Sequence, residues 1–523
     1  MRFITGLLLI TMLGLLGCAD QELDIKRIPL TTISTEAEVL MRQLILNEEE
    51  FRQDENEDLL SEILSLDPHF TFAKMYAPRY QLSDPSAARE TFISGYENRA
   101  GVSPIEKRII EAMHAGFIAE NNLDRTRILE EAIIDYPDYY KLRLLAARSN
   151  TALGDPISVE QRLLEAKELN PNSFETHIRL ATLHFPVGDG FVMLSVDDRD
   201  LDKAKMYLQQ AQKILPNSPT PSRFLGNIYR DTGDLDDALD AYMTSSKLID
   251  DQESQPFAGT QLMIGHTLMF QGKYDEARNS YKIGFDVSPD LQWKFLMGMY
   301  GAQSYLFERK YGEAVVSITE NKNLSQEFAD SDEQKLRFAM WAEEAKFRAL
   351  SHSLNEEGAQ KAVDTVKQLS KQISKLEIDR ADSPQEVERI KRNSEQKIAS
   401  LNIWKDILFA RFDSARTHLD QLQKITLSDL STDPNAMVPY YKFQAHLHLM
   451  EGDPKQSIEI YSKFPRSYLD DDVYHLYFYA LAKKAIGDLD ESRTIFEYIS
   501  GYYFYDWGSA LVRNLVEDQL ASW

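Results

Sequence analysis

The chain has 523 residues, 43% of them hydrophobic, enough for several ordinary domains or one long repeat array with a large buried core. Lys and Arg number 58 against 83 Asp and Glu, a formal net charge of −25, which repels phosphate backbones and anionic headgroups and argues against nucleic acid as a partner. The only cysteine, Cys18, excludes a disulfide-stapled fold and a cysteine-based zinc site within one chain.

Residues 1–20 read MRFITGLLLITMLGLLGCAD, a positive charge at Arg2 followed by an apolar run from Phe3 to Leu16. The run is short for a spanning helix, which needs roughly 20 residues, and fits a secretory signal. Leu15-Leu16-Gly17-Cys18 resembles the lipobox of bacterial lipoproteins. That resemblance implies a signal peptide at residues 1–17, lipidation of Cys18, and a bacterial cell-envelope protein held to a membrane by acyl chains at ~0.8 kcal/mol per buried CH₂. Ala19 stands where inner-membrane lipoproteins carry Asp, which favours the outer membrane. Losing residues 1–17 removes one positive charge, Arg2, and takes −25 to −26. Residues 18–35, with Pro29 and no apolar period, read as the lipidated cysteine and a flexible tether.

From residue 36 the chain repeats itself. Leu225-Gly226, Tyr229, Ala238 and Tyr242 recur thirty-nine residues later as Ile264-Gly265, Leu268, Ala277 and Tyr281. These spacings resemble the tetratricopeptide family, whose unit is about 34 residues. Weaker copies surround them: Ala147, Val159, Leu163 and Ala166; Leu180-Ala181 with Ala204, Leu208 and Ala211; Ala302, Tyr305 and Ala314; Ala445 and Tyr461; Ala480 and Phe496. Leu60 and Ile63 suggest the second helix of a degenerate first unit. Small residues let two antiparallel helices approach and large ones fill the space between pairs, so the spacing predicts an all-α, tetratricopeptide-type solenoid of stacked antiparallel helix pairs. Gly154-Asp155, Gly233-Asp234, Gly452-Asp453 and Gly487-Asp488 each offer a left-handed helix stop and then a side chain to cap the next helix. The opening segment Thr31-Thr32-Ile33-Ser34-Thr35-Glu36-Ala37 and the junction Asp67-Pro68-His69-Phe70 resemble a group of bacterial envelope tetratricopeptide proteins, a likeness that implies no activity.

Two stretches depart from the repeat. Phe185–Asp198 inserts a glycine-containing apolar loop within one unit. Residues 321–400 lose the register and read as long amphipathic helices broken near Ala381–Pro384, elongated repeat helices being favoured over a spacer. The expected layout is therefore a repeat array over 36–320, this irregular segment, and further repeats with an aromatic cap over 401–523.

Neither a nucleophile elbow, nor a zinc-protease helix, nor a dinucleotide fingerprint is present, and no enzymatic activity, cofactor or metal is expected. His177, His184, His446 and His448 do not converge as ligands, and the acidic run Asp197–Asp202 reads as a helix start. The tetratricopeptide resemblance implies ligand contacts from inner-face positions of each first helix: Arg223, Asn227 and Arg230, then Leu262, His266 and Met269, then Met299, Gln303 and Leu306. The expected function is a membrane-anchored, non-catalytic scaffold that binds an unidentified protein or peptide in this groove. The rival is a glycan-binding lipoprotein of polysaccharide uptake, against which only five Trp count. The aromatic C-terminus, from Tyr474 to Trp507, reads as the cap of the last pair.

Overall fold

Most helices of this chain begin on a polar side chain that accepts from an amide near the first turn. Asn121 accepts from the Asp124 N–H, Ser173 from Thr176, Asp200 from Lys203 and Asp290 from Trp293. At Ser103 the device is reciprocal: its hydroxyl accepts from the Glu106 N–H while the Glu106 carboxylate accepts from the Ser103 N–H. Each such cap contributes about 1 kcal/mol. The computed structural model describes residues 25–523 apart from 53–54, 81–84, 186–193, 196–197, 382, 431–434, 471 and 504. The described residues are helical with connecting turns and contain no strand.

Helix ends repeat one device. Gly154, Gly233, Gly452 and Gly487 take positive φ as expected, and so does Gly272. The amide after each stop bonds back into the preceding helix, as Asp234 N–H does to the Tyr229 carbonyl at 2.8 Å. The capping half of the expectation holds for Asp155 and Asp453, whose carboxylates accept from Ser158 and Gln456. It fails at Asp234 and Asp488, which make no side-chain cap. The same turn recurs without glycine at Arg309, Leu354 and Ala410, with φ between 54° and 59°. Lys310, Asn355 and Arg411 complete it by bonding back to Tyr305, Leu350 and Asp406.

The chain forms two compact units, Met1–Phe224 and Leu225–Trp523, with the division inside helix Thr220–Thr232. In the first unit, helix pairs Thr35–Glu49/Asn56–Leu66, Pro104–Phe117/Asn122–Asp135, Tyr140–Ala152/Pro156–Leu169 and Phe174–His184/Leu201–Ile214 stack in order, with short helices and Pro85–Glu97 between the first two. Leu60 and Ile63 of the degenerate first repeat are fully buried. Within 18–35, the described residues 25–34 are non-helical, yet they are not a loose tether. The Thr31 N–H and hydroxyl donate to Glu106 at 2.8 and 2.5 Å, and Thr32 donates to Asp67 at 2.5 Å. The Thr-Thr segment and the Asp-Pro junction noted in the sequence thus meet in space.

The second unit contains the clear repeats. In hairpin Gln255–Phe270/Tyr274–Val287, a Cβ added to Gly265 would stand 2.3 Å from Tyr281 Cε1, and the Tyr281 ring is buried. Gly226 and Tyr242 make the same contact at 2.6 Å. Two helices pack this closely only because one presents a bare backbone to the face of the other's tyrosine. Residues 321–400 continue the pairing with longer helices, Asp332–His352, Glu356–Ile378 and Pro384–Leu408, of 21, 23 and 25 residues. The pairs Val438–Met450/Pro454–Tyr461 and Val473–Ala485/Leu489–Ser500 follow, and helix Trp507–Ala521 ends the chain. Among the described residues no helix is long and apolar enough to cross a membrane. Cys18 and the signal segment 1–17 lie outside the described residues.

Candidate functional site

The sequence placed binding on the inner face of the second unit's repeats. The structure fills that face with the chain's own C-terminal segment. Leu262, Met269, Met299 and Leu306 are core residues, and Gln303 is only 1% exposed. His266 is buried between Tyr281, whose hydroxyl lies 2.8 Å from Nδ1, and Tyr505, which stacks on it at 4.4 Å. Burial, aided by the Arg230 charge, holds the His266 pKa well below its ordinary value. The Tyr505 hydroxyl donates to the Tyr300 carbonyl at 2.8 Å, and Tyr503 covers Gly233 and packs on Phe270. Farther along, Asn514 donates to the Phe307 carbonyl at 2.7 Å and Arg309 pairs with Asp518.

The remaining expected groove residues are equally engaged. Asn227 accepts from the Tyr242 hydroxyl at 2.6 Å, and Arg230 reaches the Met263 sulfur. Arg223, in the first unit, lies over the ring of its neighbour Phe224. None of the six residues from Leu262 to Leu306 offers an open surface. The C-terminal segment, which the sequence reading had confined to capping the last pair, packs on this face at His266, Phe270, Tyr300 and Phe307. Part of that cap exists as expected: Tyr477 packs on Phe496, and Tyr474 stacks among Trp404, His446 and Phe478.

Two of the histidines and the acidic run weighed in the sequence hold local structure: His177 Nδ1 lies 2.9 Å from the Ser173 carbonyl, His184 accepts from the Asp200 N–H, and Asp200 caps the helix beginning at Leu201. The described residues hold no group of His, Cys, Asp and Glu that could bind a metal. Most of the 185–198 insertion lies outside the described residues; Leu194 of that stretch is buried and bonds back to the Leu183 carbonyl at 3.1 Å.

An open site exists instead in the first unit. A cleft of about 860 Å³ lies among helices Thr35–Glu49, Pro104–Phe117 and Tyr140–Ala152, with residues 25–28, 72–79 and 170–174 completing its wall. Its apolar lining includes Phe72, Met75, Phe92, Ile109 and Met113. Val39, Leu46 and Phe117 line it too and are 62%, 41% and 50% exposed, more apolar surface than a sealed core leaves.

Charge is concentrated beside this apolar floor. The buried carboxylate of Glu175 takes Arg148 and Arg179 at 2.6 Å each and Lys141 at 3.4 Å. Burial alone would raise the Glu175 pKa; the three cations hold it well below the usual carboxylate range. Lys141 also pairs with Glu49 at 2.9 Å, and Arg79 with Glu48 at 3.2 Å. Arg125 differs: among the described residues its side chain has no ion pair or hydrogen bond, and its Nε is buried without a partner. Burial and then the nearby Arg148 charge press its pKa down. Sequence reasoning missed this cleft because residues 71–140 carry no recognisable repeat register; the available signal was the pair of large apolar residues, Leu46 and Phe117, at helix ends.

A family model described as tetratricopeptide repeat matches residues 258–290, the hairpin built on Gly265 and Tyr281. No curated protein sequence matches the chain. Solved structures with a similar trace include yeast Tom70, with a TM-score of 0.41 and 18% identity over 62% of this chain and 67% of that chain. The APC/C hetero-tetramer Cut9–Hcn1 gives 0.38 and 15% over 60% of this chain and 55% of that one, so the match spans little more than half of the latter. The apo form of the quorum sensor NprR from B. thuringiensis gives 0.37 and 13% over 64% of this chain and 98% of that one. The matched repeat and the glycine–tyrosine helix packing within it support a tetratricopeptide repeat at residues 258–290.

Proposed function

We propose that this chain is a non-catalytic scaffold, lipid-anchored through Cys18 in a bacterial cell envelope, that holds a segment of a partner protein in the cleft of its N-terminal unit. One observation carries the choice of site: the inner face of Leu225–Trp523 is packed with Tyr503 and Tyr505, while the cleft of Met1–Phe224 presents Leu46 and Phe117 to solvent beside fixed charges. A cleft that joins exposed apolar side chains to a few ordered polar groups suits a peptide segment. The anchor is inferred from the lipobox, and the outer membrane from Ala19.

The test is crosslinking in intact cells followed by affinity purification, comparing wild type with Leu46→Glu/Phe117→Glu. Leu46 is 41% and Phe117 50% exposed, and because Phe117 also packs on buried Phe92 the variant is compared only after its thermal midpoint is shown to match wild type. The proposal expects a protein recovered with wild type and absent from the variant. Equal recovery from both would place binding elsewhere, and recovery of polysaccharide instead would favour the glycan-binding reading. Labelling with a radioactive fatty acid, abolished in Cys18→Ala, checks the anchor.

A further inference from the structure

Resting on the reading that the cleft of the N-terminal unit holds a partner segment, we propose that this segment is acidic: an Asp or Glu side chain seats against Arg125 while flanking apolar side chains cover Phe92, Met113 and Phe117. Arg125 lines the cleft, and Gly116 makes room for it. A Cβ at Gly116 would stand 2.5 Å from Arg125 Cδ and 3.2 Å from Nη1, so the side chain lies across the end of helix Pro104–Phe117.

The surrounding cations are already committed. Arg148, Arg179 and Lys141 converge on Glu175, and Glu49 supplies the one further carboxylate bonded to this group, through Lys141. Counting Arg79 and its partner Glu48, which also faces Arg148, the corner with Arg125 holds five cations against three carboxylates. A partly buried guanidinium without a counter-charge is unfavourable, and here a like charge, Arg148, stands close to it. An incoming carboxylate removes that penalty and can take two parallel N–H donors from a guanidinium. Within a chain of −25, a locally cationic and partly desolvated cleft is the place where an anion gains most. The exposed ring of Phe117, one residue from Gly116, gives the same segment an apolar contact.

The probe is a phage-displayed library of random dodecapeptides, panned over the full chain purified in detergent, with Arg125→Gln and Arg125→Lys in parallel. Wild type is expected to enrich peptides that place Asp or Glu beside Leu, Phe or Met. A synthetic peptide from that set should bind Arg125→Gln about tenfold or more weakly, with partial recovery in Arg125→Lys. Replacing its acid by the amide should cost the same factor in wild type and nothing in Arg125→Gln, the coupling expected of a direct contact. The thermal midpoint of Arg125→Gln should equal or exceed that of wild type, because no native pair is lost. A lowered midpoint would assign Arg125 a structural role and overturn the proposal. Enrichment of apolar peptides without acid, indifferent to Arg125→Gln, would overturn the acidic preference and leave the docking cleft standing. No enrichment at all would overturn both.

Discussion

Replacing Tyr505 by Ala should free the C-terminal segment from the inner face of the second unit. The Tyr505 side chain is 7% exposed, stacks on His266 at 4.4 Å, meets Tyr300 edge-on at 5.0 Å and donates to the Tyr300 carbonyl at 2.8 Å. Deleting a buried aromatic of this size costs about 3–5 kcal/mol. The hydrogen bond contributes about 1 kcal/mol of this and is isolated by Tyr505→Phe. A long helical array does not unfold as one unit, so the effect belongs in a local measurement. Amide hydrogen exchange in helix Trp507–Ala521 should accelerate by a factor on the order of 100–1,000 in Tyr505→Ala, and by roughly fivefold in Tyr505→Phe. Exchange unchanged within about a factor of three in Tyr505→Ala would refute the anchoring role assigned to this ring.

Gly265→Ala puts a Cβ 2.3 Å from a buried tyrosine ring; overpacking of about 1–3 kcal/mol, offset by the better helix propensity of Ala, leaves a net loss of about 1 kcal/mol in denaturant unfolding. A gain in stability would mean the two helices separate freely. Glu175→Gln leaves Arg148, Arg179 and Lys141 without their shared carboxylate and should cost about 3–5 kcal/mol, lowering the thermal midpoint. An unchanged midpoint would show that water replaces the carboxylate. Stability should also fall with acid: His352 is pushed down to about 4 by burial, and His446 lies well below its ordinary value through burial and then the His475 and His352 charges. The unfolded chain binds these protons near pH 6.5 and the folded chain refuses them, so stability is complete above that pH and declines below it, by about 2 kcal/mol at pH 5 for His352 alone. Flat stability between pH 7 and 5 would contradict the burial of these imidazoles.

How far the sequence could be read depended on the range of the interactions. Gly265 with Tyr281, and Gly226 with Tyr242, lie within single hairpins, so their spacing predicted the helix pairs directly. The stops at Gly154, Gly233, Gly452 and Gly487 were equally local, whereas the same turn at Arg309, Leu354 and Ala410 carries no glycine to mark it. Inner-face positions such as His266 lie on first helices as read, but the burial of His266 depends on Tyr505, more than two hundred residues away in sequence. No local pattern encodes that return. The docking of Thr31 and Thr32 on Glu106 and Asp67 escaped for the same reason: polar contacts across long separations leave no periodic trace.

The central claim, that a partner protein binds the N-terminal cleft and not the inner face of the second unit, is tested most directly by photo-crosslinking from single sites in intact cells. A photoreactive residue at Leu46 or Phe117 should capture a partner protein, and one at Gln303, only 1% exposed, should capture none. Capture from Gln303 with silence at Leu46 and Phe117 would contradict the account and return the binding site to the inner face of the repeats.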